Sequence, residues 1–237
     1  MEETAAWTRA IDSYCERIDP GFWAEPVNAV TNLAFLIGAL VAWRAALAHG
    51  RSDDWAVRAL VLILTAIGVG SFLFHTFANR WSVMTDVIPI MLFILVYLYV
   101  ILVRYLGLPR WAGGVGILLF FPVSAGISAV LTPLVGTLNG SMGYVPTLIL
   151  MAAFAALLHA RGHPAGRGIA IAAGLLFASL TFRTLDDQSA ALCEAFPLGT
   201  HFMWHVLNGT LLGWLIVVLA RHGAPSERRL AQAGAAS

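Results

Sequence analysis

The chain has 237 residues, of which 59% are apolar and 11% charged, with a mean hydropathy of +0.79 and a formal net charge of +1. Soluble domains carry about 25% charged residues, so this composition cannot cover a water-facing surface and instead suits a lipid-facing one. A near-neutral balance without a basic cluster points to no nucleic-acid partner, and no segment marks a protein partner.

Residues 1–25 are polar and acidic, the reverse of the basic start and short apolar core of a cleaved signal peptide. This N-terminal segment is expected to be retained. A bilayer core about 30 Å thick takes roughly 20 apolar residues of helix. Such runs predict spans near 26–48, 56–78, 83–104, 112–134, 144–160, 168–184 and 201–221. The expected fold is all-α, a polytopic seven-transmembrane helix bundle over 26–221, followed by a polar, alanine-rich, disordered tail at 222–237. Pro26 opens the first span, where its missing N–H costs nothing. All fourteen basic residues are arginine, a prokaryotic style of composition that suggests a bacterial inner membrane. With the N-terminus outside, ten arginines fall on inner segments and four (Arg9, Arg17, Arg80 and Arg183) on outer ones. The positive-inside rule therefore predicts an extracytoplasmic N-terminus and a cytoplasmic C-terminus.

Ionisable groups within spans are costly and mark functional sites. Here they are His75 near the end of the second span, Asp86 near the start of the third, and His201 and His205 opening the seventh. The alternating direction of the spans puts all four at one depth, towards the extracytoplasmic side. His201 and His205 are i and i+4 and share a helix face, and Asn208 extends that stripe. Ser71 lies one turn from His75, and Glu25, Asn28 and Asn32 form a further polar stripe on the first span. Three histidines from two helices suit Zn²⁺ with a fourth position open, as in catalytic zinc sites. Asp86 is the candidate to take and return a proton, and Ser71 the candidate donor to a developing oxyanion.

Cys15 and Cys193 both fall on the outer side, where disulfides persist; the arrangement favours a bridge over two free thiols. Asp12, Glu16, Asp19 and Glu25 make the first segment rich in carboxylates. Irregular oxygen clusters suit Ca²⁺, and a solvated acidic loop accounts for them as well. Asp186, Asp187 and Glu194 read as a solvated connection between the last two spans.

The string DSYCERIDPGFWAEPVNAVTN and the blocks SFLFHTFANRWSVMTD and HFMWH resemble the alkaline ceramidase family, within the seven-helix membrane hydrolase superfamily that includes the adiponectin receptors. The spacing that carries the resemblance is Ser-x-x-x-His, an Asp eleven residues after that His, and His-x-x-x-His in the last span. It implies zinc on His75, His201 and His205, catalytic roles for Ser71 and Asp86, a Cys15–Cys193 disulfide, and a calcium site near the zinc that includes Glu16 and Glu25. This chain departs from the family at Asp12-Ser13-Tyr14-Cys15-Glu16, one residue longer than the animal Asp-Trp-Cys-Glu run. Ile18 stands where a polar calcium ligand is expected, with Asp19 beside it.

The function expected is zinc-dependent intramembrane hydrolysis of the N-acyl amide bond of ceramide or a related membrane lipid, releasing a fatty acid and a lipid amine. The alternative is a seven-helix lipid sensor with structural zinc, which has no use for Ser71 and Asp86. A proton-relay transporter expects polar groups through the full depth of the bundle, and the inner halves of these spans are apolar.

Overall fold

The computed structural model describes residues 6–187 and 191–223. Seven of the helices in these residues are long and apolar enough to cross a membrane: α1 (Pro26–Ala48), α2 (Trp55–Phe77), α3 (Arg80–Tyr105), α4 (Arg110–Val135), α5 (Ser141–Ala160), α6 (Ala165–Leu185) and α7 (His201–His222). Among the described residues the only β pairing is an isolated bridge between Ala10 and Asn79. The protein is an all-α integral membrane protein, and the expected spans hold with shifts only at their ends. The expected disordered tail lies outside the described residues beyond Gly223.

The most apolar window of α7 is 61% buried and that of α4 only 6%, which makes α7 the central helix and α4 a peripheral one. Leu118, Val130 and Leu134 on α4 are widely exposed, a face that lipid tails solvate and water does not. α7 packs on α1 and α6. Its approach to α1 depends on glycine: a Cβ on Gly209 would lie 2.5 Å from the Ala34 carbonyl carbon, and one on Gly38 2.4 Å from the Gly209 oxygen. Small residues let membrane helices pack backbone to backbone, where no hydrophobic driving force separates helix from lipid.

A second close approach joins α2 to α3. Pro89 has no N–H to offer the carbonyl four residues back, so the Thr85 carbonyl is released from the helix ladder. A Cβ built on Gly70 would lie 1.9 Å from that oxygen, and the Thr85 hydroxyl meets the Gly70 carbonyl at 3.1 Å. Glycine at 70 and proline at 89 thus press together the helix stretches that carry Ser71 and Asp86.

α1 is not one continuous α-helix. It breaks at Asn32, between segments Pro26–Thr31 and Leu33–Ala48, and tightens there into three-residue hydrogen bonds from Asn32 N–H to Ala29 and Phe35 N–H to Asn32. The Asn32 side chain donates back to the Asn28 carbonyl at 2.9 Å. The polar stripe expected from Glu25, Asn28 and Asn32 therefore does not persist as a helix face: Asn32 serves the break.

The two ends of the bundle differ. At the end remote from the histidines, Arg51 and Arg104 converge on one oxygen of Asp54, at 2.7 and 2.6 Å, and both also reach the Gly223 carbonyl. Asp54 caps α2 through its other oxygen, which accepts from Ala56 N–H at 3.0 Å.

Candidate functional site

At the opposite end the N-terminal segment folds over the mouth of the bundle. Ile11 N–H bonds the Ala78 carbonyl at 2.7 Å, Cys15 forms a disulfide with Cys193, and Cys15 N–H donates to Asp186 at 2.9 Å. Asp186 corrects the expectation of a solvated connection, because it is wholly buried. One of its oxygens also accepts from Thr200 N–H and His201 N–H, both at 2.6 Å, where a carboxylate complements the exposed amides and positive end of a helix. Gly199, at φ +63°, leaves room for it: a Cβ there would lie 2.1 Å from the Asp186 carboxylate. Asp186 thus fixes the start of α7, and with it His201. Glu194 is exposed as expected.

His75, His201 and His205 meet beneath this cover, all buried, each offering a nitrogen within 4.8 Å of the others. The partners of the rings decide what those nitrogens can do. His75 Nδ1 lies 2.6 Å from Glu25, so the ring donates there and its Nε2 carries a lone pair. His205 Nδ1 lies 2.9 Å from the Thr31 hydroxyl. That hydroxyl spends its own proton on the Val27 carbonyl at 2.7 Å, so it accepts from His205, and His205 Nε2 also carries a lone pair. These two Nε2 atoms face each other at 3.0 Å. With both rings neutral, two lone pairs so close repel unless a proton or a metal cation lies between them, and nitrogens sharing a tetrahedral zinc sit about 3.3 Å apart with bonds of about 2.05 Å. His201 adds a third ring whose Nδ1 is buried with no hydrogen-bond partner among the described residues. The donor set fits a zinc-type metal, and its outer partners are of the kind that hold ligand rings in place.

Tyr14 closes this cluster from above, its ring stacked on His201 at 3.7 Å between centroids, and burial raises its phenol pKa. Ser71 is buried one turn from His75, and its side chain reaches the carboxyl of Asp86, which is half-buried and also senses His75 and Arg183. Arg183 lies over the rings of Tyr144 and Trp204, 5.6 Å from each centroid, and donates to Ser141 and the Asn139 carbonyl.

Asn208 does not extend the histidine stripe. Its amide donates to Ser179 at 2.7 Å and to the Trp204 carbonyl at 2.9 Å, clamping α7 to α6. It also lines an apolar cavity whose histidine-end rim includes Tyr144 and Trp204 and which extends to Ile101 and Leu215. From Trp204 to Leu215, at about 1.5 Å per residue, the cavity follows α7 for roughly 16 Å. Among the described residues no charged side chain lines it.

Of the four carboxylates expected to bind calcium, Glu16 and Glu25 are buried and both meet Asn28, whereas Asp12 and Asp19 lie on the surface. Glu16 accepts from Val27 N–H at 2.7 Å and Asn28 N–H at 2.8 Å, one oxygen each, at the start of α1; burial nonetheless raises its pKa. Glu25 accepts from Arg17 at 2.5 Å through its other oxygen. Burial would raise the Glu25 carboxyl, yet the bond to His75 and the Arg17 charge hold it below the usual range. Asp12 and Asp19 are exposed, and Asp19 accepts from Gly21 N–H at 2.5 Å.

Sequence reading anticipated the meeting of the three histidines and the disulfide. It missed Thr31, Arg17 and Asp186, whose partners lie far along the chain or in an aperiodic loop.

The family model described as Ceramidase matches residues 13–232 of this chain. No curated protein matches it.

Proposed function

The chain belongs to the Ceramidase family, a family of amide hydrolases acting on ceramide-like lipids, and from that premise we propose that it is a zinc-dependent intramembrane hydrolase. It cleaves the N-acyl amide bond of ceramide or a related lipid amide and releases a fatty acid and a lipid amine. The observation that carries the metal reading is the pair of lone-pair nitrogens on His75 and His205, 3.0 Å apart, beside the unpartnered Nδ1 of His201.

Zinc held by these three rings supplies Lewis acidity, which activates water and polarises a carbonyl. The remaining roles belong to the chain. Asp86 accepts the proton of the attacking water and returns it to the leaving amine. Ser71 donates its hydroxyl proton towards the oxyanion that develops on the attacked carbonyl. Glu25 and Thr31 hold His75 and His205 in the tautomer that presents Nε2. The cavity running inward from Trp204 takes the acyl chain along roughly 16 Å of α7. The arginine distribution supports an extracytoplasmic position for the site, with the amine leaving towards the water.

The test is elemental analysis of detergent-purified protein, wild type beside His201→Ala/His205→Ala. About one zinc per wild-type chain, absent from a folded variant that no longer cleaves a long-chain N-acyl lipid, is the expected result. A folded wild type that takes up no zinc and still hydrolyses the lipid overturns the mechanism.

A further inference from the structure

Glu25 is 2% exposed and Arg17 6%. A buried carboxylate that hydrogen-bonds a metal-ligand histidine needs a compensating cation, and the family resemblance supplies one in the form of calcium. In this chain the place is taken. Arg17 Nε donates to Glu25 at 2.5 Å, one terminal nitrogen donates to the Asp19 carbonyl and the other to the His75 carbonyl, both at 3.2 Å. One guanidinium therefore joins the N-terminal segment, the entrance to α1 and the end of α2. The His75 carbonyl lies in the last turn of its helix, where carbonyls lack intrahelical partners.

The carboxylate oxygens that calcium would need already have partners, and only the amide oxygens of Asn28 and Asn32 are buried there without a hydrogen bond among the described residues. Glu16 has each oxygen on a backbone amide of α1. Glu25 has one oxygen on Arg17 and the other on His75 and the Asn28 amide. Calcium takes six to eight oxygen ligands, whereas the groups aimed at these carboxylates are N–H donors and a fixed positive charge that would repel a second cation. Ile18, where a polar ligand was expected, is 84% exposed.

We infer that Arg17 is the permanent cation of the Glu25–His75 pair, a positioning residue built in where the family resemblance implies calcium, and that this hydrolase works without calcium. Arg17 acts through Glu25, which sets the His75 ring. The consequence for zinc affinity rests on the metal reading of the histidines; the consequence for calcium does not.

The experiment uses the full-length protein in detergent, stripped of free calcium by a resin and then titrated with calcium chloride. Equilibrium binding of radioactive calcium, melting temperature and lipid-amide turnover are read together. The expected result is no saturable binding and no change in melting or turnover up to about 1 mM, the weak end of biological calcium sites. Saturable binding with higher stability or turnover overturns the inference. Separately, Arg17→Gln is expected to weaken zinc binding about 10- to 100-fold, the usual effect of losing an outer partner, and Arg17→Lys to recover most of it. Unchanged zinc affinity in a folded Arg17→Gln variant removes the positioning role. If that variant does not fold, the wild-type calcium titration still decides. A wild type that binds neither metal would defeat the zinc reading while leaving the calcium-independence intact.

Discussion

Both ends of the bundle bury charge, and they do so in opposite ways. At the Gly223 end, two arginines converge on one carboxylate and one carbonyl, so the charges are met within the chain by hydrogen bonds. At the histidine end, Glu25 is matched by Arg17, but the cluster it supports is left with two opposed lone pairs, an unpartnered ring nitrogen and a half-buried Asp86. A network whose charges are met by groups of the chain holds helices together. A network with donors converging on one point, and nothing among the described residues to satisfy them, is built for something that comes from outside. The two ends should therefore respond differently to the same class of substitution.

The largest effect on chemistry without loss of metal belongs to Asp86. Asp86→Asn keeps size and removes the proton acceptor, so kcat is expected to fall about 10²- to 10⁴-fold while zinc content stays at the wild-type level. Retained turnover would transfer the base role elsewhere. Ser71→Ala follows, with kcat about 10²-fold lower if its hydroxyl donates to the oxyanion and KM little changed. A rise in KM alone would make Ser71 a binding group, and the histidine end would be less specialised for the transition state than the comparison holds.

How far this division was legible in the sequence follows from the range of each signal. The spans come from composition and run length, which are local, so their limits shift by only a few residues. His201 and His205 show themselves by helical spacing, and His75 and Asp86 by being ionisable groups in apolar runs. What stayed hidden depends on contacts that no local pattern encodes. Asp186 holds Cys15 N–H across 171 positions, so it read as one more acid in a loop. Arg17 and Glu25 are eight residues apart in a segment without periodicity. Asn32 and Asn208 read as parts of polar stripes, whereas one helix breaks at Asn32 and Asn208 bonds Ser179 while lining the apolar cavity. Thr31 sat beside those asparagines and looked like an ordinary helix residue until His205 was brought against it by the Gly38–Gly209 crossing.

The smallest effect on turnover is expected at the Gly223 end, and it is the sharpest test of the comparison. Asp54→Asn keeps an oxygen to accept from Ala56 N–H, so the cap of α2 survives, but Arg51 and Arg104 lose the carboxylate between them. Breaking a well-buried pair costs about 3–5 kcal/mol, and near water the loss is smaller, about 2 kcal/mol. The melting temperature should drop by several degrees while kcat per folded molecule and zinc content hold. Burial opposes ionisation of Asp54, yet the hydrogen bond and charge of Arg104, with the Ala56 amide and Arg51, leave its pKa below the ordinary aspartate value of 3.8. A depressed folded pKa means that the pair's contribution is fully present above about pH 4 and is lost as the pH falls through the lower folded value. The gap in melting temperature between wild type and Asp54→Asn should accordingly be constant from neutral pH down to about pH 5 and close below pH 4. A variant that melts normally but turns over slowly would mean that the clamp at one end sets the geometry of the other, and the two ends would have to be read as one coupled device.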